Sequence, residues 1–110
     1  MMRKASILFK DEEAGLLTQH DDGTFTFQYH PNWVEDSRKP PVSLGLPKRR
    51  EPYDSDFLFP FFYNMLPEGS NRQAVCRLNR MDSDDDFGLL MVTAKKDAIG
   101  AVRVIKINNI

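Results

Sequence analysis

The residues with the most chemical potential lie in one short acidic stretch, Met81-Asp82-Ser83-Asp84-Asp85-Asp86. Asp82, Asp84 and Asp86 have the spacing of the first three carboxylate ligands of a calcium loop. Such a loop turns on a glycine directly after the third ligand and closes on a bidentate glutamate at its twelfth position. Phe87 and Thr93 hold those places, so a calcium loop is not expected. Asp86-Phe87-Gly88 also spells the magnesium-binding triplet of protein kinases. The triplet works only behind a phosphate-covering glycine loop, a strand lysine and a His-Arg-Asp catalytic loop. None of these precedes it. A helix start accounts for the stretch better: residues 83–86 form a cap and place carboxylates where the helix dipole favours negative charge. An enzyme holding a metal on Asp82, Asp84 and Asp86 stays as a remote alternative.

Other ligands and nucleophiles are isolated. His20 and His30 flank one strand candidate and lack the i, i+4 partner of a zinc protease. The one cysteine, Cys76, excludes an internal disulfide and a cysteine-built zinc site, and it fits a reducing, cytoplasmic compartment. It falls in a helical stretch, as a small buried apolar residue. There is no Gly-x-Ser-x-Gly elbow, phosphate-binding loop or dinucleotide fingerprint. The expectation is a protein without an active site of its own, not an enzyme, with no cofactor and no metal.

A length of 110 residues fits one domain, residues 1–110, large enough to bury a core without staples. Apolar residues at 41% and charged ones at 28% describe a folded chain and not a disordered one. Fifteen Lys and Arg against sixteen Asp and Glu give no global attraction to nucleic acid or an anionic membrane. The longest apolar run, residues 57–66, is too short to span a bilayer.

The elements that must position any site read as β, then loop, then helix, then β. Ala5-Ser6-Ile7-Leu8-Phe9 and Gly15-Leu16-Leu17-Thr18 are strand candidates around a charged turn at residues 10–13. Asp21-Asp22-Gly23 marks a turn. After it, Thr24-Phe25-Thr26-Phe27-Gln28-Tyr29 alternates strictly, which puts Phe25, Phe27 and Tyr29 on one buried face and pairs them with residues 15–18. Prolines 31, 40, 41, 47 and 52 then keep the chain in loops, with a short strand possible at residues 42–46. Arg38, Lys39, Lys48, Arg49 and Arg50 cluster there, as a solvated loop or as a contact to an acidic partner or a phosphate. Residues 57–66 are greasy on every side and so expected to be buried on every side. Ser70-Asn71-Arg72-Gln73 fits a capping box before an inward stripe of Ala74, Val75 and Leu78. Phe87, Leu90, Met91 and Ala94 recur at helical spacing, and residues 99–107 read as a final strand. The fold class is α+β: an N-terminal hairpin or meander, central helices, and a C-terminal strand completing a partly open sheet or barrel.

One stretch is more specific. Phe61-Phe62-Tyr63-Asn64-Met65-Leu66-Pro67-Glu68-Gly69, followed by Arg72, resembles the Phe-Phe-x-Asn-Leu-Leu-Pro-Glu-Gly…Arg signature of the N-terminal subdomain of HipA-type toxin kinases. Val42-Ser43-Leu44-Gly45-Leu46-Pro47 resembles that subdomain's Ile-Ser-Leu-Ser-Leu-Pro. Asp86-Phe87-Gly88-Leu89-Leu90 and Asp97-Ala98-Ile99-Gly100-Ala101-Val102 look like its helix and its Gly-Ala-Val strand. Gly15-Leu16-Leu17 and Phe27-Gln28-Tyr29 match its opening hairpin. Tyr63 departs from the small acidic residue usual there. The family's catalytic machinery lies beyond this subdomain, whereas this sequence stops at Ile110. The double methionine start and residues 108–110 look like a natural gene's ends. The resemblance therefore implies a stand-alone module like the HipS antitoxin of three-gene HipBST systems. Such a module binds a HipT/HipA-type serine/threonine kinase in trans and holds it inactive. A HipB-type DNA-binding partner completes the complex, with no direct nucleic acid or membrane contact by the module itself. The kinases of this family act on aminoacyl-tRNA synthetases. The alternative is the front subdomain of a longer kinase. Tyr63, Pro67, Glu68, Gly69, Ser70, Asn71 and Arg72 are the expected partner-binding residues, with Ser70 doubling as helix cap and Arg72 free to close on Glu68 or a neighbouring carboxylate.

Overall fold

The structure, a computed structural model, describes residues 2–94 and 101–107. Strand β1 (Arg3–Phe9) turns through Lys10 and Asp11 into β2 (Glu12–Gln19). Both turn residues have positive φ, 50° and 68°, so the expected four-residue turn is a two-residue hairpin loop whose twist matches its strands. Ile7 pairs with Gly15 and Leu8 with Glu13, which leaves Ala14 as a buried bulge. Gly15 is required where it stands: a Cβ there would lie 2.6 Å from the Gln28 carbonyl oxygen. The alternating segment forms β3 (Phe25–Tyr29), paired with β2 through Leu17 opposite Phe27 and Gly15 opposite Tyr29.

The proline-rich region holds two elements that patterning does not announce. Helix α1 (Pro31–Glu35) has its proline at the first position, where the missing N–H costs nothing. It buries Trp33 against Phe9, with Trp33 Nε1 donating to the Pro40 carbonyl at 2.8 Å. Strand β4 (Tyr53–Ser55) adds to the edge beside β3. Residues 42–46 make a tight turn closed by a Ser43–Leu46 bridge, not the short strand expected. The basic cluster is mostly tied down. Arg38 pairs with Asp36, Lys39 with Glu12 and Arg50 with Glu35. These pairs match the solvated-loop reading.

Only α2 (Pro60–Tyr63) is helical within residues 57–66, a single turn. Phe62 is fully buried and Leu58, Phe59 and Leu66 nearly so, but Phe57 is 79% exposed and Tyr63 50%. Greasiness on every side is thus not burial on every side: one turn of helix has one inner face. Helix α3 (Gly69–Leu78) follows. Its expected inward stripe is corrected in part: Val75 packs partly buried against the core, but Ala74 is exposed, Leu78 is 84% exposed and Cys76 is the buried position. Helix α4 (Asp86–Thr93) buries Phe87, Leu89, Leu90 and Met91, with the following Ala94 buried as well. Strand β5 (Val102–Ile107) returns beside β1 with Val102 and Val104 buried. Residues 95–100, which include the Asp97 to Gly100 part of the family-like strand, and the terminal 108–110 lie outside the described residues.

The result is α+β, one antiparallel five-stranded open sheet in the order β4-β3-β2-β1-β5. Helices cover the face carrying Ala5, Ile7, Leu17, Phe25, Phe27 and Val104. Phe62 packs on Phe27 with ring centroids 5.8 Å apart, and Phe87 stacks on Phe25 at 6.2 Å. No helix among the described residues is long and apolar enough to cross a membrane.

Candidate functional site

The 63–72 segment is built by α2, a turn and the first half of α3. Pro60 opens α2, and Phe62 in the core holds it against the sheet. Leu66 is buried, and the chain then turns through Pro67, Glu68 and Gly69. Gly69 sits at φ 58°, a left-handed conformation that an L side chain adopts only with strain. This is the sharp turn expected from its proline and glycine. The cap is different. Glu68, in extended conformation, is the N-cap of α3, its carbonyl accepting from the Arg72 N–H at 3.4 Å, and its side chain makes no capping bond. Ser70 lies inside the first turn of α3, so the capping box does not form. A left-handed Gly69 starts the helix two residues earlier than the serine pattern implies, with Glu68 and not Ser70 as the N-cap.

That difference yields a paired prediction. Ser70→Ala should leave the thermal midpoint nearly unchanged, within about 0.5 kcal/mol, as for exposed positions without a special role. Gly69→Ala should cost about 1 kcal/mol because its φ is left-handed. Thermal unfolding of both variants checks the order.

Glu68, Gly69, Ser70 and Asn71 are exposed, Pro67 is partly covered and Tyr63 is half exposed. Arg72 is not free. Its Nε donates to the Ser83 carbonyl at 3.0 Å, and its terminal nitrogen reaches Asp86 Oδ1 at 2.6 Å. Of the two closures open to it, Arg72 takes the neighbouring carboxylate and leaves Glu68 outward. This contact raises the Arg72 pKa further and pins the turn to the start of α4. Arg72 therefore positions the turn, while Tyr63, Glu68, Ser70 and Asn71 present it.

The acidic stretch is absorbed by the same framework. The true N-cap of α4 is Asp85, not Ser83; its side chain accepts from the Gly88 N–H at 3.1 Å, and of the carboxylates only Asp86 lies in the first turn. Arg3 grips Asp85 with both terminal nitrogens, at 2.9 and 2.6 Å, and lies 5.2 Å over the Phe87 ring. A Cβ on Gly88 would meet Asp85 Oδ2 at 2.3 Å, so the glycine of the kinase-like triplet exists to admit the cap. Asp82 accepts from the Asp84 N–H at 2.9 Å in a local turn. Among the described residues no three His, Cys, Asp or Glu converge as a metal site. His20 bonds Thr26 at 2.7 Å and His30 Nε2 lies 2.6 Å from Glu13, both at strand ends.

The Arg3 guanidinium, then the Gly88 N–H, hold the Asp85 carboxyl below its ordinary value of 3.8. A depressed folded-state pKa stabilises above the unfolded value and is lost as pH falls through the folded one. The stability that Asp85 contributes should therefore be lost as pH falls from its ordinary value through its lowered folded-state value, and Asp85→Ala should flatten that part of the acid limb. The same change should lower stability at neutral pH by about 1 kcal/mol through loss of the cap. Urea titrations at several pH values check both.

Sequence reasoning missed Arg3 and Asp85 as partners, and it missed the anchoring of residues 42–46 by Tyr29. That hydroxyl donates to the Leu46 carbonyl and accepts from the Val42 N–H at 3.0 Å. Burial pushes the phenol up to about 12, so it stays protonated and able to donate.

With this geometry in view, known proteins give a consistent picture. A family model described as the HipA N-terminal domain matches residues 5–105. A solved structure described as the N-terminal domain of HipA toxin superposes with a TM-score of 0.71 at 30% identity, covering 96% of this chain and 93% of its own. An uncharacterized protein of Haemophilus influenzae is 32% identical over 104 residues, 94% of this chain and 92% of that protein. Two Sinorhizobium fredii proteins named as presumptive kinases, Y4mE and Y4dM, are 33% and 31% identical. The aligned parts span only 21% and 24% of their lengths.

Proposed function

The chain belongs to the HipA N-terminal domain family, and from that premise we propose that it is an antitoxin-like binding module. It binds a HipT/HipA-type serine/threonine kinase in trans, in the cytoplasm, and holds it inactive without catalysis of its own. The observation that carries this reading is the Haemophilus influenzae relative, covered over 92% of its length by this one domain. In that protein the domain stands without room for a kinase region. The exposed turn formed by Pro67, Glu68, Gly69, Ser70 and Asn71 supports it further. A turn fixed by Gly69 and by the Arg72–Asp86 contact loses little ordering entropy on docking. Tyr63 beside it offers a half-exposed aromatic side chain, a residue type enriched in interface anchors. A HipB-type DNA-binding protein is the proposed third member of the complex.

A second reading is favoured by the Sinorhizobium relatives, in which the matching region is about a fifth to a quarter of a longer protein named as a kinase. On this reading the domain is a structural front piece of a longer kinase, and its turn would meet the kinase region within one chain.

Co-expression with the kinase gene adjacent in the genome separates these readings. Restored growth and co-purification are expected for the antitoxin. Glu68→Ala combined with Asn71→Ala should weaken kinase binding about tenfold or more while leaving the fold intact, as loss of anchoring contacts does. Unchanged affinity of that double variant would remove the turn from the interface, and failure of the wild type to bind would end the antitoxin reading.

A further inference from the structure

Two exposed aromatic residues and three carboxylates meet in one concavity. Phe57 is 79% exposed and Tyr63 50%, and with the buried Phe25 they line a pocket of about 280 Å³. Asp56, Asp84 and Asp86 line the same pocket, and no Lys or Arg does. Its walls come from the bend after β4, the end of α2 and the turn before α4. Neither a lone exposed phenylalanine nor a run of aspartates implies a ligand by itself. What is informative is that the fold draws rings and carboxylates from segments far apart in sequence into a single pocket.

The walls are held from within. The Phe57 N–H donates to Ser55 Oγ at 3.2 Å, the Asp84 N–H to Asp82 Oδ1 at 2.9 Å, and the Asp86 N–H to the Asp84 carbonyl at 3.1 Å. Arg72 answers the charge of Asp86. The carboxylates of Asp56 and Asp84 have no ion pair or hydrogen bond among the described residues. The pocket therefore carries two carboxylates without a counter-charge, beside rings that the core does not cover.

That combination suits a guanidinium. A cation is drawn to an aromatic face, and the planar guanidinium both stacks on rings and offers its N–H groups as a fork to carboxylates. The domain builds the same unit once from its own residues: Arg3 grips Asp85 at 2.9 and 2.6 Å and lies 5.2 Å over the Phe87 ring. A second arginine, Arg49, lies 3.6 Å over Tyr53. Size agrees, since small-molecule sites run from roughly 300 to 1,000 Å³ and this pocket is suited to a single side chain.

We infer that the pocket binds one arginine side chain of a protein partner, its guanidinium against Phe57 and Tyr63 and paired with Asp56 and Asp84. The inference goes beyond the kinase-binding reading: it states the chemistry the partner presents beside Tyr63 and holds whichever protein supplies the arginine.

The test is an amide NMR titration of the full chain with N-acetyl-arginine methylamide, with the lysine and citrulline counterparts as controls. The arginine probe should shift the Asp56, Phe57, Tyr63 and Asp84 amides saturably. The neutral citrulline probe should not, and the lysine probe should bind several-fold more weakly. Asp56→Asn combined with Asp84→Asn should weaken arginine binding about tenfold, through loss of charge-assisted hydrogen bonds. Phe57→Ala should weaken it about threefold, through loss of the ring. All three positions are exposed, so melting midpoints should match the wild type. If a variant fails to fold, the selectivity of the wild type among the three probes still decides. No saturable shift up to the solubility limit of the arginine probe overturns the inference. Equal binding of the lysine or citrulline probe, or unchanged affinity in the double variant, overturns it as well. Each of these outcomes leaves the kinase reading standing, because co-expression and co-purification decide that reading separately.

Discussion

Phe62→Ala should lower the stability of the domain by about 3–5 kcal/mol, the range for truncating a buried phenylalanine. Phe62 is fully buried and touches Phe27 of the sheet, Phe59 and Phe61, with ring centroids 5.8, 6.5 and 5.1 Å apart. It is the buried residue of α2 and packs the single-turn helix onto the sheet, so its loss leaves a cavity between them. Against a total stability of about 5–15 kcal/mol, such a loss leaves a substantial unfolded fraction near body temperature. The functional consequence follows from the same packing. Tyr63 and the turn after Leu66 take their place from α2, so the proposed kinase binding should fail with the fold. Denaturant unfolding monitored by tyrosine and tryptophan fluorescence measures the first effect. If Phe62→Ala unfolds at the wild-type midpoint, the packing account of the signature is wrong.

Tyr29→Phe should cost about 1–3 kcal/mol, the price of leaving buried polar groups without partners. The ring and its edge-on contact with Phe27 at 4.8 Å survive the change. What is lost is the hydroxyl that bridges the Val42 N–H and the Leu46 carbonyl, and both strand these groups in a buried setting. The 42–46 turn should loosen as a unit, seen as faster amide exchange at Val42 together with Leu46. Exchange rates at Val42 unchanged from the wild type would show that the hydroxyl does not hold the turn.

These two residues illustrate why part of the family signature was readable and part was not. The signature's order along the chain identified the family, but it did not say which of its residues pack and which face outward. Phe62, Leu66 and Arg72 build; Tyr63, Glu68, Ser70 and Asn71 present. Sequence patterns record residue type and local spacing, and both sets share those.

The elements themselves divide along the same line. Alternation in residues 24–29 determined β3 and its inner face, because side chains on a strand switch sides at every residue whatever the rest of the chain does. Helical spacing determined α4 likewise, and the order of strand-like and helical stretches determined the α+β class. Tertiary structure decided the rest. The start of α3 was settled by Gly69's left-handed backbone and by Arg72 reaching Asp86, fourteen residues away. The cap of α4 was settled by Arg3, which meets Asp85 across 82 positions of sequence. The outward faces of Leu44, Phe57 and Leu78 were settled by where neighbouring elements happened to leave no cover. Local periodicity states which side chains share a face. Only contacts between distant residues state what that face meets.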